Sequence, residues 1–136
     1  MKSYQLLQLP QIKDQRGCLS FAQIDDHVPF AIKRIFYLYD LTSNEKRGDH
    51  AHRNQHQFLI MFNGSCRIEV DSGHKKETIV LNKPSQALYA PPLNWLVMSD
   101  FSSNAVCGVL VSDKFDEDDY IYDYNEFQLL ARKHFI

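Results

Sequence analysis

The stretch Gln57-Phe58-Leu59-Ile60-Met61-Phe62-Asn63-Gly64-Ser65-Cys66-Arg67-Ile68-Glu69-Val70 joins two short apolar runs through an Asn-Gly pair. Runs of this length and composition read as strands. Asn-Gly is the dipeptide that best tolerates the two positive φ angles of a type I′ turn, so the spacing predicts a hairpin here. Outward from it, further apolar or alternating runs fall at 3–8, 18–23, 33–39, 48–52, 74–81, 86–90, 94–99 and 105–112. They are broken at Asp14-Gln15-Arg16-Gly17, 43–46, Asp71-Ser72-Gly73 and Pro91-Pro92. Many short strands at this spacing make the chain mainly β, an antiparallel barrel or sandwich.

The last segment changes character. Asp116-Glu117-Asp118-Asp119 places acidic residues at a helix start and Arg132-Lys133-His134 places cationic ones at its end, both complementing the helix dipole. Ile121, Tyr124, Phe127 or Gln128, and Ala131 recur at helical steps. The expectation is one domain over 1–136, with a barrel at about 3–112 and a C-terminal helix at about 116–134 packed on its outside.

Composition narrows the function classes. Fifteen Lys and Arg against seventeen Asp and Glu, for a formal charge of −2 over 136 residues, give no basic face for a nucleic acid polymer or an anionic membrane. The N-terminal apolar run is broken by glutamines and a proline, too short for a signal core or a membrane span, which predicts a cytoplasmic protein. Cys18, Cys66 and Cys107 are odd in number and far apart, fitting neither a disulfide framework nor a zinc knuckle. Reduced, mostly buried thiols are expected.

Chemistry concentrates at Arg47-Gly48-Asp49-His50-Ala51-His52. Two imidazoles one residue apart share a face only on a strand. A metal-binding cupin would follow HxH with a carboxylate and, after a later turn, another histidine. Here Gln57 fills the carboxylate slot, with His56 beside it, and Val97 stands at the fourth position. Two imidazoles and an amide are a thin donor set, so metal-free proton transfer is favoured over both a metal site and ordinary polar surface. No metal and no cofactor are expected.

Among the arginines, Arg53 and Arg67 read as solvated strand-edge charges. Arg16, beside a turn glycine, and Arg47, just before His50, are candidates to grip a diphosphate in two-point contacts. Arg34 is a further substrate-binding candidate. Tyr37, Tyr89 and Trp95 are candidates for lining a barrel mouth, where an amphipathic ring packs a base or sugar.

Taken in order, Ile32-Lys33-Arg34-Ile35-Phe36-Tyr37, the Arg47–His52 run, Asn63-Gly64-Ser65-Cys66-Arg67, Trp95 with Asp100-Phe101-Ser102, and Ser112-Asp113 through Asp119-Tyr120-Ile121 to Tyr124 and Phe127 are similar to the WxcM-like dTDP-4-keto-6-deoxyglucose 3,4-ketoisomerases, the FdtA and QdtA group. The resemblance implies a cupin jelly roll (double-stranded β-helix), a metal-free homodimer with the option of exchanged N-terminal strands, and a role in bacterial deoxysugar and glycan synthesis. It implies that His52 is the base at sugar C3 and His50 its partner, with the reverse order open. It also implies Tyr37 beside the reacting oxygens, Arg16 and Arg47 on the diphosphate, and Gln57 on a histidine or the sugar. Leu96 and Val97 stand where relatives carry polar side chains, which leaves the C4 stereochemistry of the product open. Two rival functions stand beside this one: a non-catalytic sugar-nucleotide-binding cupin, and a related dTDP-sugar 3,5-epimerase.

Overall fold

The computed structural model describes residues 3–42 and 44–134, with the side chain of His134 left aside. Ser43, in the break expected at 43–46, lies outside the described residues. The chain forms β1 (Gln5–Gln8), β2 (Gln11–Asp14), β3 (Gly17–Ser20), β4 (Arg34–Leu38), β5 (Arg47–His52), β6 (Gln57–Asn63), β7 (Cys66–Asp71), β8 (Lys76–Leu81), β9 (Gln86–Ala90), β10 (Trp95–Ser99) and β11 (Val106–Val111). A 3₁₀ turn (Glu117–Asp119), β12 (Tyr120–Ile121) and α1 (Tyr124–His134) follow. Two five-stranded sheets, ordered β1-β9-β6-β11-β4 and β12-β5-β10-β7-β8, face each other, and β2 and β3 form a separate hairpin. All their strand pairs are antiparallel.

The predicted hairpin at Asn63-Gly64 is a turn of a different kind. β6 pairs with β9 and β11, whereas β7 pairs with β8 and β10, so the turn carries the chain from one sheet to the other. Gly64 does take a positive φ of 75°. A Cβ there would come within 2.3 Å of the Ser102 hydroxyl, the group that accepts the Ser65 N–H at 2.8 Å. Phe58, Leu59, Ile60 and Met61 are all buried. A strand covered on both faces has no polar side, and its pattern therefore does not say which strand lies beside it.

Three apolar clusters follow from this layering. Leu59, Met61, Ile68, Val70, Leu88, Leu96, Met98, Val109 and Val111 fill the space between the sheets. Ala51, Trp95, Val97 and Ile121 on the outer face of the second sheet pack against Phe127 and Ala131 of α1. Phe58, Ile60, Ala87 and Tyr89 on the outer face of the first sheet meet Val28 and Phe30 from the β3–β4 connection.

The helix begins later than the acidic run predicts. Asp116 caps the 3₁₀ turn by accepting the Asp118 N–H at 3.0 Å. Asp123 is the residue that caps α1, accepting the Asn125 N–H at 2.9 Å. Between the two, Tyr120 and Ile121 add an edge strand beside His52 and Ala51. The segment 11–14, outside the strands expected at 3–8 and 18–23, is the first arm of the β2–β3 hairpin. No helix among the described residues is long and apolar enough to cross a membrane.

Candidate active site between the sheets

One end of the sandwich opens into a cavity of about 290 Å³ lined by Arg34, Phe36 and Leu38 of β4, Arg47, Gly48, His50 and His52 of β5, Gln57 and Leu59 of β6, Leu96 and Met98 of β10, Val109 of β11, and Phe115 and Tyr120. The expected histidine pair is therefore brought together with Arg34, Arg47, Gln57 and Leu96.

A bulge sets the aim of His50. Leu96 pairs with His50 and Val97 with Gly48, leaving Asp49 as an extra residue in β5. Gly48 and Asp49 both take positive φ, 83° and 62°. A Cβ on Gly48 would lie 2.8 Å from the Leu96 carbonyl oxygen, so glycine alone fits. On the outer face, the Trp95 indole N–H donates to the Asp49 carboxylate at 3.1 Å. On the cavity side, His50 Nδ1 lies 3.0 Å from the Gly48 carbonyl oxygen. A carbonyl only accepts, so Nδ1 carries the proton and Nε2 keeps its lone pair.

His52 is 4% exposed and held on two sides. Its Nδ1 lies 2.9 Å from Asp119 Oδ2. Asp119 in turn accepts the backbone N–H groups of Asn54 at 2.7 Å and Gln55 at 3.3 Å. On the other side, His52 Nε2 is 3.5 Å from the Gln55 side-chain nitrogen. Arg34 donates to the Gln55 side-chain oxygen at 2.9 Å. Because a guanidinium only donates, the amide must turn its oxygen to Arg34 and its N–H toward His52.

The two rings stand 4.9 Å apart edge to face, and the Tyr120 ring packs on both, at 4.8 Å from His50 and 4.4 Å from His52. Burial is the main cause that pushes the His52 imidazole down to about 4. His50 and Arg34 push the same way, and Asp119 opposes them. Burial also lowers His50, against the pull of the Gly48 carbonyl. Both imidazoles are thus neutral near pH 7, the form that can accept a proton.

Other expected site residues lie elsewhere. Tyr37 is on the outer face of β4, 59% exposed and stacked on Tyr39, because the cavity-facing positions of that strand are Arg34, Phe36 and Leu38. Tyr89 faces the outer layer with Phe30, its hydroxyl 2.8 Å from His56 Nδ1, which also turns His56 away from the HxH pair. Trp95 points beneath α1, against Tyr124 and Phe127. Val97 shares that outer face, and only Leu96 of the pair reaches the cavity.

Arg16 sits at the tip of the β2–β3 hairpin, 90% exposed and paired with Asp14 at 2.6 Å. Arg53 pairs with Glu126 and Arg67 with Asp100 at the surface, as solvated edge charges do. Cys66 and Cys107 are buried thiols, pushed up to about 12 by burial, while Cys18 is exposed. Among the described residues no three His, Cys, Asp or Glu side chains are grouped to hold a metal ion.

Sequence reasoning missed Asp119, Gln55 and Asp49. The alternation Tyr120-Ile121-Tyr122 directly after the acidic run is the strand signal that would have taken Asp119 out of the helix.

Comparison with known proteins agrees with this geometry. The model of the FdtA family, WxcM-like, C-terminal, matches residues 2–132. The chain is 41% identical over 128 residues to the TDP-4-oxo-6-deoxy-alpha-D-glucose-3,4-oxoisomerase of Aneurinibacillus thermoaerophilus, covering 94% of this chain and 92% of that one. Among solved structures it is similar to the WlaRB TDP-quinovose 3,4-ketoisomerase of Campylobacter jejuni, with a TM-score of 0.89 and 42% identity over 95% of this chain and 99% of that one. It is also similar to a histidine-to-asparagine mutant of the 3,4-ketoisomerase QdtA of Thermoanaerobacterium thermosaccharolyticum in complex with TDP-4-keto-6-deoxyglucose. There the TM-score is 0.93 and the identity 35%, over 100% of this chain and 99% of that one.

Proposed function

The chain belongs to the FdtA, WxcM-like C-terminal, family of sugar 3,4-ketoisomerases, and from that premise we propose that it converts TDP-4-keto-6-deoxyglucose to a 3-keto sugar by metal-free acid–base catalysis. The observation that carries this reading is the pair of neutral imidazoles on one cavity wall, each with Nδ1 committed to a fixed acceptor.

In the reaction, the C4 ketone acidifies the C3 hydrogen. A base removes that proton, giving an enediolate with a C3–C4 double bond. The O3 proton is then lost as O4 gains one, and C4 is protonated, so that the carbonyl ends at C3 with no net change of atoms. His50 is the better base in this chain, reversing the order read from the resemblance. Its Nε2 has no protein partner among the described residues, whereas His52 Nε2 faces the Gln55 amide. His52 then moves the hydroxyl proton between O3 and O4.

A cavity of about 290 Å³ suits a sugar ring, leaving the nucleotide toward the mouth, where Arg47 is exposed. Arg34 and Gln57 bind from the walls, and Leu96 supplies an apolar one. A cytoplasmic location goes with this substrate class and with three unpaired cysteines.

Incubation with TDP-4-keto-6-deoxyglucose in deuterated water, followed by NMR, tests the reading. Deuterium is expected at C3 of recovered substrate and at C4 of product, and is expected to vanish in His50→Ala while TDP still binds. Binding without exchange would establish the non-catalytic alternative, and exchange at C5 would establish an epimerase.

A further inference from the structure

We propose that Asp119 and Gln55 are positioning residues that lock His52 in the tautomer with its proton on Nδ1 and its Nε2 unprotonated beside the Gln55 amide N–H. This deepens the ketoisomerase reading and rests on it.

Asp119 comes from the 3₁₀ turn and not from the strands that form the cavity walls. At 6% exposure its carboxylate is fixed by two backbone N–H groups before it meets the imidazole. The turn itself is anchored, since the Arg53 N–H donates to the Asp119 carbonyl at 2.9 Å. Gln55 is 3% exposed, and its amide orientation is dictated by Arg34. The His52 ring is thus gripped at both nitrogens by groups that cannot exchange donor and acceptor roles. A shuttle between O3 and O4 must accept one proton and return it, which needs an unprotonated nitrogen at a fixed place; the Gln55 N–H holds that nitrogen through a long 3.5 Å contact that a substrate hydroxyl would displace. With Nε2 protonated instead, it could accept no proton and would set its N–H against the Gln55 N–H.

The groups facing His52 are Arg34 from β4, Gln55, His50 on its own strand, and Asp119 and Tyr120 from the C-terminal segment. Among these Asp119 is the anion. Its replacement by asparagine keeps the shape, removes the charge, and offers an amide N–H that would drive the imidazole toward the opposite tautomer.

The test has two arms. In unaltered protein with ¹⁵N-labelled histidine, long-range ¹H–¹⁵N spectra between pH 6 and 8 are expected to show His52 in the Nδ1–H form. An Nε2–H form, or an average of the two, overturns the proposal whatever the activity. In Asp119→Asn, kcat is expected to fall about a hundredfold or more, with KM within about threefold. The acid limb of kcat should move to lower pH, because imidazolium loses its anionic partner. Asp119→Glu should recover part of the rate.

A folded Asp119→Asn protein with the parent kcat and acid limb overturns the assignment. Should that variant not fold, the spectra of the unaltered protein still decide. If the unaltered enzyme exchanges no deuterium, the ketoisomerase reading fails, while the tautomer continues to judge Asp119 separately.

Discussion

At the residue scale, the bulge at Gly48-Asp49 does for His50 what Asp119 does for His52. An unbroken strand would already put both imidazoles on one face; the bulge adds a carbonyl turned back onto the His50 ring. Gly48→Ala would place a Cβ 2.8 Å from the Leu96 carbonyl oxygen at a φ of 83°. Strain of this kind costs about 1–3 kcal/mol. Relief by flattening the bulge would withdraw the Gly48 carbonyl from the imidazole. The expected outcome is a lower urea midpoint together with a fall in kcat larger than the change in KM, read by denaturation and steady-state kinetics on one preparation. A variant with reduced stability and unchanged kcat would show that the bulge does not aim His50.

At the element scale, α1 and β12 act as a brace on the strand that carries the histidines. Phe127 is fully buried against Ala51, Trp95, Val97 and Ile121. Phe127→Ala is expected to destabilise by roughly 3–5 kcal/mol. Because β12 runs beside His52 and Ala51, it should also raise hydrogen exchange in β5 and β12 well before β6 or β11. Uniform loss of protection across both sheets would contradict a local brace. The sequence made most strands legible, since short apolar runs between Gly, Pro and Asp turns have few other readings. It also placed His50 and His52 on one face by period alone. It hid the partner of β6, whose apolar run is continuous, and it hid β12. The Tyr120-Ile121-Tyr122 alternation is its one signal, and the acidic cluster before it mimics a helix start and outweighs so short a run. With β12 misread as helix, Asp119 had no reason to meet His52.

At the scale of the whole molecule, the buried imidazoles set an acid limit on stability. A histidine pushed down to about 4 in the fold, against an ordinary 6.5, is protonated in the unfolded chain first. Between those values the unfolded state binds more protons, so stability is present above pH 6.5 and lost as pH falls toward 4. His50 and His56, also lowered by burial, add in the same direction. Urea midpoints at pH 7.5, 6 and 5 are expected to decline, and His52→Gln should flatten the decline. A midpoint constant from pH 7.5 to 5 would contradict neutral burial.

Assembly belongs to the same scale. The β2–β3 hairpin leaves Ile12 and Leu19 exposed and carries Arg16 outward, and β1 lies at the edge of its sheet. We propose a homodimer in which this N-terminal region crosses so that Arg16 reaches the partner's cavity mouth. Mixing His50→Ala with Arg16→Ala protomers would then rebuild one intact site per mixed dimer, giving roughly a quarter of parent activity at random exchange. No recovery in mixed dimers would place Arg16 outside the partner's site.

Trp95 is the only tryptophan in the chain, and its indole N–H is bonded to the extra residue beside His50. The chain therefore carries its own optical probe on the face of the second sheet turned away from the cavity. Emission from Trp95 follows the bulge without contacting ligand, so a sugar nucleotide that shifts His50 should change fluorescence through the Asp49 bond. Trp95→Phe would remove the indole emission while leaving a ring under the helix.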